Sequence, residues 1–142
     1  AIKLAKWIKG IPIIYYPSGL NSVATRFKNS LQENVKTHAI SENIIEMCHN
    51  GIVSWEKSSN VQPILIHGVE DHPKTEERWN IVKQYFNEKE IAYEEILSVR
   101  GPILSKVVNL IYLLDYASIY LAVISGIDPS PVESIDYIKN KM

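Results

Sequence analysis

One cysteine in 142 residues, Cys48, leaves no partner for an internal disulfide, so the chain relies on its core and fits a reducing cytosol. Neither sign of charge is in excess: 15 Lys and Arg oppose 16 Asp and Glu, a formal net charge of −1. The basic residues are scattered singly, which gives no electrostatic footprint for nucleic acid. Repeats and low-complexity tracts are absent. So is the apolar run of a secretory signal: Ala1–Lys9 holds three lysines and reads instead as the tail of a helix belonging to a longer chain. A Ser/Thr/Gly-rich phosphate loop is also missing, the only short candidate being Pro17-Ser18-Gly19-Leu20-Asn21-Ser22. What remains is globular composition, 46% apolar and 22% charged, enough for one domain with a core and too short for two.

The hydrophobic pattern alternates between strand and helix. Ile11–Tyr16 reads as a strand closed by a Pro-Ser-Gly turn. Val23, Phe27 and Leu31 then line one face of a helix capped by Asn21 or Ser22. Thr37–Cys48 reads as a second helix, with Ile40, Ile44, Met47 and Cys48 on its apolar side and Asn50-Gly51 as its left-handed stop. Val61–His67 is a second strand, which Pro63 moves toward an edge. Lys74–Glu88 is an amphipathic helix with Trp79, Val82, Tyr85 and Phe86 inward, and Ala92–Val99 a third strand. The stretch Pro102–Ser125 is apolar almost all round. It approaches a bilayer-spanning length, but Asp115 in its middle is costly in lipid, so a buried or interface helix is expected and not a membrane span. A last helix opens at Pro131 and ends near Lys141. The alternation predicts an α/β layered fold with a mostly parallel sheet.

Three separated segments carry a resemblance. The first is Ala24-Thr25-Arg26-Phe27-Lys28 continuing to Glu33-Asn34-Val35-Lys36. The second is Glu46-Met47-Cys48-His49-Asn50 with Trp55-Glu56 after it. The third is Asp115-Tyr116-Ala117-Ser118, then Asp128-Pro129-Ser130-Pro131-Val132, then Ile138-Lys139. In this order they resemble the C-terminal domain of the bacterial and archaeal bifunctional phosphoglucose/phosphomannose isomerases. The resemblance covers nearly the whole chain. It implies a three-layer SIS (sugar isomerase) fold over residues 1–142, with 1–9 as the tail of a linker helix.

The resemblance also assigns roles. Glu33 matches the base that moves a proton between C1 and C2 through a cis-enediol, a task for a carboxylate whose pKa is lifted by partial burial. Read from the residues alone, Glu33 belongs to a polar stripe with Arg26, Asn29 and Ser30, opposite buried Leu31, and a solvated helix face is the plain alternative. His49 matches the ring-opening acid/base and, in the family, reaches the active site of the neighbouring subunit, which implies a homodimer. Its plain reading is a helix-capping histidine, with Glu46 and Glu42 on its side. Lys139 matches the ring-opening lysine of the terminal helix, with Lys141 two positions away. Arg26 either binds substrate or makes a structural pair. Ser130 is taken as substrate-binding and, with Val132, falls where substrate breadth is tuned. Asp115, a carboxylate in an apolar helix, is expected to be a paired anchor. His67-Gly68-Val69-Glu70-Asp71-His72 has metal-ligand residue types but no structural-zinc spacing. No metal or organic cofactor is implied, since only one proton moves between adjacent carbons.

In the family the phosphate of the hexose 6-phosphate is held by an N-terminal SIS domain, so this chain alone is expected to isomerise poorly. The rival readings are a sugar-phosphate sensor or a dimerisation module without catalysis.

Overall fold

A computed structural model describes all residues, 1–142. In chain order the elements are α1 (Ile2–Trp7), β1 (Ile11–Tyr16), α2 (Asn21–Val35), β2 (Ile40–Asn43), α3 (Ile44–Met47), a 3-10 turn (Gly51–Glu56), β3 (Val61–His67), α4 (Pro73–Glu88), β4 (Glu94–Leu97), α5 (Ile103–Ile124) and α6 (Glu133–Lys139). The four strands form one parallel sheet in the order β2-β1-β3-β4. From β1 the chain moves one way to β2, then crosses back to β3 and on to β4.

Because strand residues alternate faces, each central strand feeds two cores. Ile14, Ile64 and Ile66 face α1, α2 and α5, where they pack with Phe27, Leu31, Leu110 and Leu114. Ile13, Tyr15 and Leu65 face α3 and α4, where they meet Ile44, Met47, Trp79, Val82 and Phe86. The crossover through α2 and the crossover through α4 run in opposite directions and cover opposite faces, as a single handedness requires. Three layers result, helix on sheet on helix.

Five local expectations change. Asn50, at φ −110°, and Gly51 form no left-handed stop and lead instead into the 3-10 turn. Ile40–Asn43 is a strand and not a helical turn, since Ile13↔Ile40 through Tyr16↔Asn43 pair it to β1. Only Ile44–Met47 is helical, with the Asn43 side chain accepting from the Ile45 N–H at 2.9 Å. Cys48 is therefore exposed and not on an apolar face. Neither Asn21 nor Ser22 caps α2, whose preceding residue is Leu20. β3 lies inside the sheet despite Pro63, which stands before the first β3–β4 pair, Ile64↔Glu94; at a strand's start the missing N–H is tolerated.

α5 is 22 residues long and apolar enough to cross a membrane. In this fold its Leu110, Leu114, Ala117, Leu121 and Ala122 are packed in the larger core.

Candidate active site

Asp115 organises the contact between α2 and α5. Arg26 grips its carboxylate from α2, Nε donating at 3.1 Å to Oδ1 and Nη2 at 3.0 Å to Oδ2. One turn on, the buried Ser30 hydroxyl donates to the same Oδ1 at 2.7 Å. The hydrogen bonds to Asp115, and then its charge, push the Arg26 guanidinium above its usual range. Asn34 continues the row, its Nδ2 donating to Ser118 Oγ at 2.8 Å, and Ser118 donates back to the Asp115 carbonyl at 2.7 Å. A carboxylate inside an apolar helix is costly unless bonded in this way. Arg26, Ser30 and Asn34 fall on one stripe because 3.6 residues make a turn.

Lys36 ends α2 in the left-handed conformation, φ 56°. Its ammonium donates to the carbonyls of Glu33 at 2.6 Å and Pro131 at 2.6 Å, with Pro129 at 3.4 Å. The residue thus caps its own helix with its side chain and clamps the loop entering α6. Within that loop the Ser130 N–H donates to Asp128 Oδ1 at 2.9 Å. Ser130's bonds, with Lys36 nearby, hold the Asp128 carboxyl below the usual carboxylate range.

An open cleft of about 390 Å³ lies where α2 ends against the start of α6, lined by Gln32, Glu33, Lys36, Pro131, Val132 and Glu133 among others. Glu33 is exposed in it. The partial burial expected of a proton-shuttling carboxylate is not supplied by this chain. Lys139 closes α6 and is exposed, and Lys141 lies 6.0 Å from the centre of the Tyr137 ring. No residue of α6 is buried, so the helix carrying Lys139 lies open to solvent.

His49 is elsewhere. α2 returns antiparallel to the strands, so Glu33 in its last turn lies toward their amino ends, on the larger-core face. His49 follows α3 at the carboxyl end of β2, on the other face. The two therefore lie at opposite ends of the strands and on opposite faces of the sheet. His49 is exposed, its N–H donates to the Glu46 carbonyl at 3.0 Å, and its imidazole bonds to neither Glu42 nor Glu46. Glu42 is raised above the usual carboxylate range by burial and by Glu46. Its carboxylate lies against Gly51, where a Cβ would come within 2.5 Å of Oε2. The absence of a side chain at Gly51 therefore lets the 3-10 turn close over β2.

The Pro17–Leu20 segment is a plain turn, Leu20 N–H to Pro17 carbonyl at 3.1 Å, with Gly19 at φ 96°. In the His67–His72 segment the ligand-type residues have other partners. His72 caps α4 by accepting from Lys74 N–H at 3.2 Å, and Asp71 accepts from Gly68 N–H at 2.8 Å. His67 is buried and stacked on Trp79 at 4.3 Å. Its Nε2 is 3.6 Å from Glu95, which pairs with Lys83 at 3.0 Å. Burial pushes this imidazole down to about 4, against the pull of Glu95, so it is neutral at pH 7.

Sequence reasoning missed the Lys36 clamp and the Asn34–Ser118 bond. A signal existed: Asn34 and Lys36 both belong to the Glu33-Asn34-Val35-Lys36 motif, and Ser118 lies one turn from Asp115 in a mostly apolar helix.

Residues 1–142 match along their whole length a family described as the bacterial phospho-glucose isomerase C-terminal SIS domain. A bifunctional phosphoglucose/phosphomannose isomerase of Caldicellulosiruptor bescii is 36% identical over 146 residues, 99% of this chain and 43% of the relative. One of the same name from Aquifex aeolicus is 27% identical over 93% of this chain and 42% of the relative. The chain thus spans less than half the length of these curated relatives. Among solved structures, a glucose-6-phosphate isomerase like protein from Thermus thermophilus superposes with a TM-score of 0.71 at 18% identity, over 92% of this chain and 45% of that one. Tagatose-6-phosphate ketose/aldose isomerase from Escherichia coli gives 0.61 at 14% identity, over 89% and 40%. These two likenesses establish a shared fold, a parallel α/β layer of the SIS type.

Proposed function

Since the chain belongs to the bacterial phosphoglucose isomerase C-terminal SIS-domain family, we infer that it is the C-terminal half of a hexose 6-phosphate isomerase. The full protein interconverts glucose 6-phosphate or mannose 6-phosphate with fructose 6-phosphate. The observation that carries this reading is the cleft in which exposed Glu33 meets the start of α6, the helix that bears Lys139.

In this reading the pyranose ring opens first: the C1–O5 bond breaks, O1 gives up its proton and O5 gains one. Lys139 and His49 handle these transfers. Glu33 then takes the proton from C2 of the open aldose, leaving a cis-enediolate with its charge on O1; the O2 proton passes to O1, and Glu33 returns its proton to C1 as the C2 carbonyl forms. A base that takes and returns one proton needs the two carbons on one side of it and little water around it. The exposure of Glu33 in this chain supports a second body closing the cleft, and the N-terminal SIS domain is the candidate. That domain also supplies the phosphate pocket. His49, across the sheet from Glu33 in its own chain, serves the site of a partner in a homodimer. Arg26 and Ser130 lie outside the lining of this cleft, Arg26 paired with Asp115 and Ser130 bonded to Asp128, and a substrate-binding role for them rests on the family resemblance alone.

The test is conversion of fructose 6-phosphate to glucose 6-phosphate, with this chain alone and joined to an N-terminal SIS domain. Turnover is expected only with both halves. Glu33→Gln is expected to lower kcat about 10²–10⁴-fold, the usual worth of a positioned general base. Folded protein that is inactive in both arms would leave the sugar-phosphate sensor or the dimerisation module as the reading.

A further inference from the structure

The outer side of α5 carries a tyrosine ladder. Tyr112 and Tyr116 are 4.9 Å apart between ring centres, and Tyr116 and Tyr120 are 6.0 Å apart. Tyr112 is 67% exposed and Tyr116 41%. Together with Asn109, Leu113 and Ala1, the three rings line a recess of about 420 Å³. Neighbouring tilted tyrosines, with apolar bodies and polar tips, are enriched where another polypeptide seats.

Ala1 identifies the occupant. The curated relatives extend over more than twice this chain's length, and the matched family is described as the C-terminal domain, so their remaining length lies ahead of residue 1. Ala1 is itself part of the lining, so a segment joined to it begins beside the three rings. It is held there at an effective concentration of the order of millimolar, which a partner arriving from solution must displace. We propose that the ledge formed by Tyr112, Tyr116 and Tyr120 is the seat of the segment immediately preceding residue 1 in the full-length protein, which fixes the N-terminal domain against α5. This rests on the reading of the chain as a C-terminal half. It further assigns the surface that joins the halves and leaves the α6 side of the Glu33 cleft free to be closed.

Disulfide trapping in the full-length protein tests it. With Cys48→Ser as background, Tyr112→Cys is paired with a cysteine placed in turn at each of the four positions before residue 1. Tyr116→Cys provides a second series, so one poorly folding variant does not decide the result. Mild oxidation is expected to give a crosslink that runs at monomer size on a non-reducing gel. Ile81→Cys on α4, exposed on the opposite face, is expected to give none with the same partners. A crosslink at dimer size would assign the ledge to a second copy, and no crosslink in either series would leave it unoccupied; each overturns the proposal. Isomerase assays on the same protein separate the two readings. A trapped but inactive protein loses the isomerase reading and keeps the seat, while an active protein without a crosslink loses only the seat.

Discussion

Both helical layers pack on the same sheet through apolar cores, and they differ in what joins the elements within each layer. Between α2 and α5 a line of directional polar bonds runs through the layer: Arg26 and Ser30 to Asp115, Asn34 to Ser118, and Lys36 to the loop before α6. The α3 and α4 layer is filled by rings instead, with Trp79 and Phe86 fully buried against Tyr15 and with Trp55, Tyr85 and Tyr93 around them. Hydrophobic contact is non-directional, so it closes a layer without fixing how far one helix slides along another. Hydrogen bonds of fixed length do fix that register. The difference places the Glu33 cleft on the layer whose helix-to-helix register is pinned by polar bonds, while apolar burial stabilises both layers.

Substitutions can break this contrast. The largest effect is expected from Glu33→Gln in the joined enzyme, which should remove activity and leave the urea midpoint almost unchanged. Next is Trp79→Ala. It should cost about 3–5 kcal/mol in equilibrium unfolding, while the fraction that stays folded keeps specific activity within about threefold; a large loss of kcat in folded protein would show that the ring-filled layer also shapes the site.

The third concerns pH. His67 is held down to about 4 when folded and returns to about 6.5 when unfolded. Between these values the unfolded chain binds the extra proton. Its stabilising share is therefore whole above pH 6.5, is lost as pH falls toward 4, and amounts to about 3 kcal/mol. His67→Phe keeps a ring on Trp79 and cannot titrate, so its unfolding free energy should change less between pH 7 and pH 4 than that of the parent protein. An identical slope would remove His67 from the account.

Smallest is Asp115→Asn, expected to cost about 1–2 kcal/mol. A double-mutant cycle with Arg26→Met should give a coupling under about 1 kcal/mol, because Arg26 is 59% exposed and water screens the pair. The sharper readout is activity: if the seam pins the cleft, Asp115→Asn should lower kcat several-fold more than a stability-matched core change such as Val82→Ala.

Much of the architecture was legible because burial on one face leaves a period. Val23, Phe27 and Leu31 announced α2, and Ile11–Tyr16 and Val61–His67 announced the two central strands. Ile40–Asn43 was misread because Ile40, Ile44 and Met47 fit helical spacing, whereas pairing with β1 at residues 27 positions earlier made the first four residues an edge strand. Pro63 suggested an edge and lies in a central strand, since only its position before the β4 pairing decides whether the missing N–H costs a bond.

For the candidate site, the residue types, their stripe on α2 and the motif order were present in the chain itself, since a helix repeats every 3.6 residues whatever surrounds it. Which groups meet was not. Arg26 finds Asp115 across 89 residues, Lys36 finds Pro131 across 95, and His49 lies at the far end of the strands from Glu33. The sequence alone determined the elements, through local periodicity and backbone preference. Only the tertiary structure decided the pairings, because bringing distant side chains within 3 Å of one another depends on how whole layers pack, and no local pattern carries that information.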